Sequence, residues 1–254
     1  MLSAKIHDAK IDFSELTLFR VIDQGIRHPT VCIWVAVNAN GDRHIYREYY
    51  STDRSIAMNC RAIALLTDGS EKIQQTFIDP STRKRGSETL KTAIQVYEEN
   101  GLYCTPADNA FIGYDAVKTA SLSTIARYAL RTGQLPNSLA DLKPNQDQLL
   151  TLAQKPALTF DLRFANRCFE ECCNLRWQES KGDMTQKAER EKPMDKDDDG
   201  PDTVRYAIQS PLYYVKRREL INTTINYRKA YQQKLVKRRL NDIKHRSSRR
   251  AYNA

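Results

Sequence analysis

The sequence predicts an α/β protein: a mixed sheet flanked by helices, with an antiparallel three-strand meander, then parallel strands, then a basic C-terminal helical extension. Three observations carry that prediction. Strand-like and helix-like segments follow one another in the order β-β-β-α-β-α-β-α, which a sheet with crossover helices requires. An Asn40-Gly41 pair stands between two β-branched and aromatic runs, a strong hairpin signal. The charge is divided sharply along the chain, so the ordered body and the C-terminal segment are different kinds of sequence.

Each element has its own local reason. Residues 1–17 have no periodicity and read as a lead-in. Leu18-Phe-Arg-Val-Ile-Asp23 is a short apolar run ending in a carboxylate, and the turn after it opens at Gln24-Gly25 and closes at His28-Pro29. Val31–Val37 is an uninterrupted apolar run, rich in β-branched residues, that reads as a second strand, and Arg43–Tyr50 alternates around Ile45. Asp53 can cap a helix that places Ile56, Cys60, Ile63 and Ala64 on one face and stops at Asp68-Gly69. Lys72–Asp79 is again a strand ending in Asp, with Pro80 behind it. Leu90, Ala93, Ile94 and Tyr97 mark a second helix closed by Asn100-Gly101, and Leu102–Cys104 is a short fifth strand. Helical pattern then runs from Tyr114 to about Arg131 and from Phe164 to about Trp177, with a short apolar stretch, Ala157–Phe160, between them. Residues 178–199 are polar and lack a core-forming pattern. A last helix is expected from Asp199 to Ser210. The predicted division is therefore 1–17 lead-in, 18–210 folded domain and 211–254 basic tail, where Leu220, Ile221, Ile225, Tyr231 and Leu235 form a helical stripe.

Composition narrows the function classes. The chain has 254 residues, 41% hydrophobic and 28% charged. Its longest apolar run, Val31–Val37, is far short of the roughly 20 residues a membrane-spanning helix needs. The first residues carry no apolar signal segment, so neither a membrane nor a secreted protein is expected. The net charge of +9 is the sum of +11 in Pro211–Ala254 and −2 in the preceding 210 residues. A basic extension on a near-neutral body points to a polyanion partner; a solvated tail is the alternative. The six cysteines, Cys32, Cys60, Cys104, Cys168, Cys172 and Cys173, include no Cys-x-x-Cys pair, so they are expected as small buried hydrophobes and not as disulfides or a zinc site.

The residues that carry chemistry are acids. Asp23 and Asp79 each end an apolar strand, and the C-terminal ends of strands are where ligands bind in α/β folds. A third acidic group, Asp197-Asp-Asp199-Gly-Pro-Asp202, opens a helix. One carboxylate from each element would give hard oxygen ligands suited to Mg²⁺ or Mn²⁺, and two such ions can activate water against a phosphodiester. A strand-end Asp is also a common turn residue, and an acidic run a common helix start.

Asp199-Gly-Pro-Asp202-Thr-Val-Arg-Tyr206 resembles the Asp-Ala-Leu-Arg-Tyr ending of the nuclease domain of phage terminase large subunits. Ile22-Asp23-Gln-Gly25, Trp34–Val37 and the run from Gly41 to Tyr50 are similar to that family's first three strands. Ile78-Asp79-Pro-Ser81 resembles its second acidic motif, and Cys168, Glu171 and Trp177 its penultimate helix. The resemblance runs from about Leu18 to Ser210. It implies an RNase H-like fold and metal-dependent cutting of double-stranded DNA, with low sequence specificity, during viral genome packaging in the host cytoplasm. It further implies Asp23, Asp79 and Asp202 as catalytic, metal-binding acids serving two Mg²⁺ or Mn²⁺ ions. Asp199 stands where many members have His and is expected as an accessory ligand; Glu48 is expected to be an edge-strand or supporting residue. Arg27, Arg83, Lys84, Arg85, Lys237, Arg238 and Arg239 are the candidate DNA contacts, with surface solubility the alternative for the run 83–85. Portal, small terminase and a separate ATPase domain are the implied partners. The family pattern departs in one respect: no G-x-x-x-x-G-K-[ST] occurs, so no ATP turnover is expected, and the chain reads as an excised nuclease domain or a split-gene product. Two other readings stay open. One is a DNA-binding or docking module with little catalysis; the other is a different RNase H-like nuclease such as a resolvase.

Overall fold

The computed structural model describes residues 12–25, 28–83, 91–108, 113–134, 144–175 and 198–216. The chain divides into two compact units, Met1–Tyr214 and Val215–Ala254, and the elements below all belong to the first. They are β1 (Thr17–Asp23), β2 (Thr30–Val37), β3 (Arg43–Ser51), α1 (Ile56–Leu66), β4 (Ile73–Ile78), α2 (Ala93–Glu99), β5 (Cys104–Pro106), α3 (Gly113–Thr132), α4 (Gln146–Ala153), β6 (Leu158–Phe160), α5 (Asn166–Asn174) and α6 (Asp199–Gln209). Short 3-10 turns occupy Phe13–Glu15 and Pro80–Arg83.

One six-stranded sheet runs in the order β5-β4-β1-β2-β3-β6. β1 and β2 pair antiparallel, as do β2 and β3, while β1–β4, β4–β5 and β3–β6 are parallel. This is the expected mixed sheet, an antiparallel three-strand meander followed by parallel strands. The turn joining β2 to β3 is held by the Asn38 side chain, which accepts from the backbone N–H of Asn40 and Asp42, and Gly41 supplies the positive φ of 80°.

The alternation of side chains sorts the core into two layers. Phe19, Val21, Val31, Ile33, Val35, Val37, Ile45 and Phe77 face one way and pack with Ala120 of α3, Cys168 of α5 and Val204, Tyr206 and Ala207 of α6. Leu18, Ile22, Cys32, Trp34, Ala36 and Ile78 face the other way, against Cys60 and Ile63 of α1 and Tyr97 of α2. Every residue of β2 is buried, which is why its sequence is apolar without interruption. Among the described residues no helix is long and apolar enough to cross a membrane.

Several local expectations are corrected. Ser55, not Asp53, caps α1: its side chain accepts from the backbone N–H of Met58, while Asp53 turns the chain with a positive φ of 55°. Ala64 is exposed, and the polar Asn59 is buried in its place through bonds with Tyr49 and Thr30. α1 ends at the Thr67 cap and not at Gly69, which lacks a positive φ. The fifth strand lies two residues later than expected. The short apolar stretch Ala157–Phe160 does lie between α3 and α5, but Leu158–Phe160 in it forms an edge strand on β3, and α4, which was not anticipated, precedes it. α5 is shorter than its apolar pattern suggested. Cys32, Cys60 and Cys168 are buried as expected, but Cys173 is exposed and Cys104 and Cys172 are partly so. The polar segment and the tail's apolar stripe lie outside the described residues.

Candidate metal centre

Topology brings the first two acids together. β1 and β4 are parallel neighbours with Ile22 opposite Ile78, and the Asp79 N–H continues the ladder by donating to the Ile22 carbonyl at 2.9 Å. Asp23 is thus the last residue of one strand, and Asp79 the first residue beyond the other. Side-chain period matters as much as position. Phe19 and Val21 face the layer containing α6, so Asp23, at the next odd position, shares their face; Phe77 likewise sets the face of Asp79.

The third acid comes from α6, which packs across β1, β2 and β4. Asp202 lies in its first turn; one turn on, the Tyr206 hydroxyl donates to Asp79 Oδ1 at 3.4 Å. Asp79 is further fixed by Ser81, whose backbone N–H donates to Oδ1 at 2.9 Å and whose hydroxyl donates to Oδ2. Asp202 accepts from the Tyr114 hydroxyl and from Arg205 Nε at 3.2 Å, both on Oδ1, while an Arg205 Nη lies 3.1 Å from Oδ2.

The electrostatics reflect this crowding. Burial pushes the Asp23 carboxyl well above the usual carboxylate range, and the charges of Asp79, Asp202 and Asp199 push it further; Arg205 offsets part of the shift. Asp199, at the start of α6, is raised to about 6, first by burial and then by Asp198, with His28 opposing. Among the described residues, no three carboxylate, imidazole or thiol side chains stand close enough together, as they are placed, to hold one ion. The acids converge on one another's fields without closing into a ready cage.

The supporting residues are built from α5 and β3. Glu48 of β3 accepts from the backbone N–H of Arg167 at 3.0 Å and of Cys168 at 2.7 Å, so it caps α5, whose own cap residue Ala165 has no side-chain bond. Burial raises the Glu48 carboxyl, and these two backbone bonds oppose the shift. Glu171 accepts from the Tyr50 hydroxyl at 2.9 Å and from the Gly200 N–H at 3.1 Å, tying α5 to the first turn of α6. A β-carbon at Gly200 would stand 2.4 Å from the Tyr50 oxygen and 2.5 Å from Glu171 Oε2, so this approach requires glycine.

Of the candidate DNA contacts, Arg83 is described and exposed in the 3-10 turn just after Asp79. Arg27, Lys84, Arg85, Lys237, Arg238 and Arg239 lie outside the described residues. The anchor that sequence reasoning did not single out is Tyr114, while Glu171 was read only as part of the resemblance to the penultimate helix. Arg205 was visible only as part of a motif.

The arrangement has counterparts among solved structures. The P22 large terminase nuclease domain matches with a TM-score of 0.50 at 15% identity, covering 82% of this chain and 87% of that one. The fold is that of a large terminase nuclease domain. The large terminase of a thermophilic bacteriophage, in complex with ATP-gamma-S, matches with a TM-score of 0.52 at 14% identity over 81% of this chain. This chain spans 42% of the length of that protein, as a domain-sized match to a longer polypeptide. No protein-family model matches the sequence, and no curated protein matches it.

Proposed function

We propose that this chain is a metal-dependent endonuclease that cuts double-stranded DNA with low sequence specificity during viral genome packaging. The observation that carries the reading is the convergence of three independent acids. Asp23 ends β1, Asp79 follows the adjacent parallel β4 on the same face, and Asp202 lies in the first turn of the helix laid across both.

The donor set fits Mg²⁺ or Mn²⁺: all three are carboxylates, the hard oxygen ligands those ions take. An acid held above its ordinary range by burial, and further by neighbouring carboxylates, is also one that a divalent cation would relieve. Asp23 and Asp79 would hold the ions, Asp202 would complete the site, and Asp199 would serve as an accessory ligand. Bound there, a pair of ions would supply a hydroxide nucleophile and neutralise charge on the scissile phosphate.

The chain's own residues do the rest. Ser81 and Tyr206 fix the Asp79 carboxylate, and Glu171 fixes the start of α6 through Gly200. Arg83, just after Asp79, would grip the DNA backbone; Arg27, Lys84, Arg85, Lys237, Arg238 and Arg239 are further candidate backbone contacts on the strength of their charge. Phosphate contacts of this kind position a duplex without reading its sequence, so binding should weaken steeply with salt. In packaging, an ATPase domain, portal and small terminase would be the partners.

The test is plasmid nicking in Mg²⁺ and in Mn²⁺, across a range of salt, by the wild type and by Asp23→Asn. The wild type should nick, and Asp23→Asn should bind DNA at least as tightly without cutting. Binding without cutting by the wild type in either metal would instead identify a DNA-binding module. Strong preference for four-way junctions would identify a resolvase.

A further inference from the structure

Asp202 is held unlike the other two acids. Its carboxylate has about four lone-pair positions, and three are already in use: Oδ1 accepts from the Tyr114 hydroxyl and from Arg205 Nε, and Oδ2 faces an Arg205 Nη. The holder is itself rigid. The Arg205 side chain is only 7% exposed, and its guanidinium lies between two rings, 5.0 Å from the centroid of Tyr114 and 4.6 Å from that of Tyr206. Gly113, the first residue of α3, makes room for it: a β-carbon there would stand 2.6 Å from the Arg205 Cγ.

Arg205 and Tyr114 differ in what they do for Asp202. The arginine donates charge-assisted bonds from within the same helix turn. The tyrosine comes from α3, 88 residues away in sequence, and is neutral. Removing the arginine would strip the acid of its counter-charge, whereas removing the tyrosine hydroxyl would only free one acceptor position on Oδ1.

We infer that Tyr114 and Arg205 form a latch that turns Asp202 away from the ion site in the resting chain, with the Tyr114 hydroxyl as the part a divalent cation must displace. Resting on the metal-centre reading above, this adds that Tyr114 sets the cation concentration at which the third acid joins. In that role Tyr114 is a positioning residue, acting through Asp202 and not on DNA.

The experiment measures Mn²⁺ binding by the loss of the free-ion paramagnetic resonance signal, without DNA, for the wild type, Tyr114→Phe, Asp202→Asn and the double variant. The ring is kept in Tyr114→Phe, and thermal melts verify that each variant folds. A latch predicts that Tyr114→Phe binds Mn²⁺ about three- to tenfold more tightly, the range expected for release of one hydrogen bond. It also predicts that the same change has no effect in the Asp202→Asn background, since the coupling runs through that carboxylate. Unchanged or weaker binding by Tyr114→Phe overturns the latch, as does an equal gain in the Asp202→Asn background. Absence of Mn²⁺ binding by the wild type and by every variant overturns the metal centre itself, a different result from failure of the latch alone.

Discussion

The two ends of the sheet use aspartate for opposite purposes. Asp42 lies in the turn between β2 and β3, at the end where β1 begins; Asp23 lies at the other end of β1, seven residues or roughly 20 Å away. Asp42 is fully partnered: it accepts from Arg127 at 2.9 Å, from the Ala157 N–H at 2.9 Å and from the Asn38 amide at 3.0 Å. Burial alone would raise its carboxyl, but those bonds and the arginine charge bring it below the usual range. Asp23 is raised by burial and raised again by its acidic neighbours. The same residue type thus ties three segments together at one end and is left electrostatically uncomfortable at the other. In the proposed metal centre, a bound cation would relieve the crowding of Asp23 by burial and by Asp79, Asp202 and Asp199.

Breaking this contrast should give effects of very different size. Asp23→Asn removes the acid that ends β1, and nicking should fall by about 10³-fold or more, since an ion's charge stabilisation amounts to several kcal/mol. Next in size, Asp42→Ala leaves Arg127 and the Ala157 N–H short of a partner. A loss of about 2–3 kcal/mol is expected, lowering Tm by roughly 5–10 °C, with nicking per folded molecule retained. The smallest effect is in pH dependence, read from metal-free melts. The stabilisation by Asp42, whose carboxyl is lowered on folding, is complete above the unfolded value of about 4 and is lost as pH falls through its folded value. Asp23, raised on folding, behaves inversely: its penalty grows as pH rises from about 4 towards its folded value. Asp23→Asn should therefore match the wild type near pH 4 and melt about 1–3 °C higher near pH 7. A variant that melts lower at pH 7 would show that Asp23 is partnered after all.

What was legible in the sequence follows from the range of the interactions involved. β1 to β4 and α6 announce themselves locally: Val31–Val37 is apolar because both its faces are covered, and Asn38–Asp42 carries its own turn chemistry. Asp23 and Asp79 were readable because each interrupts an apolar strand at its end. β6 was not readable, because three residues acquire strand geometry only by pairing with Arg43–Ile45, more than a hundred positions earlier. Asp53 was mistaken for a cap because Ser55, two residues on, has the same capping chemistry. The hold on Asp202 was beyond reach for the first of these reasons: nothing near Tyr114 in sequence says that its hydroxyl meets a carboxylate on α6. Likewise Glu48, read as a supporting residue, could not be seen as the cap of α5 until topology placed β3 beside that helix.

The most direct test of the metal centre is a crystal structure of the chain soaked in Mn²⁺, with the ion located from its anomalous signal. The expected result is an ion bound to carboxylate oxygens of Asp23 and Asp79 at ~2.0–2.2 Å, with the Asp202 carboxylate turned from Tyr114 towards it. Manganese absent from these acids, or bound elsewhere while DNA is still cut, would contradict the assignment of Asp23, Asp79 and Asp202.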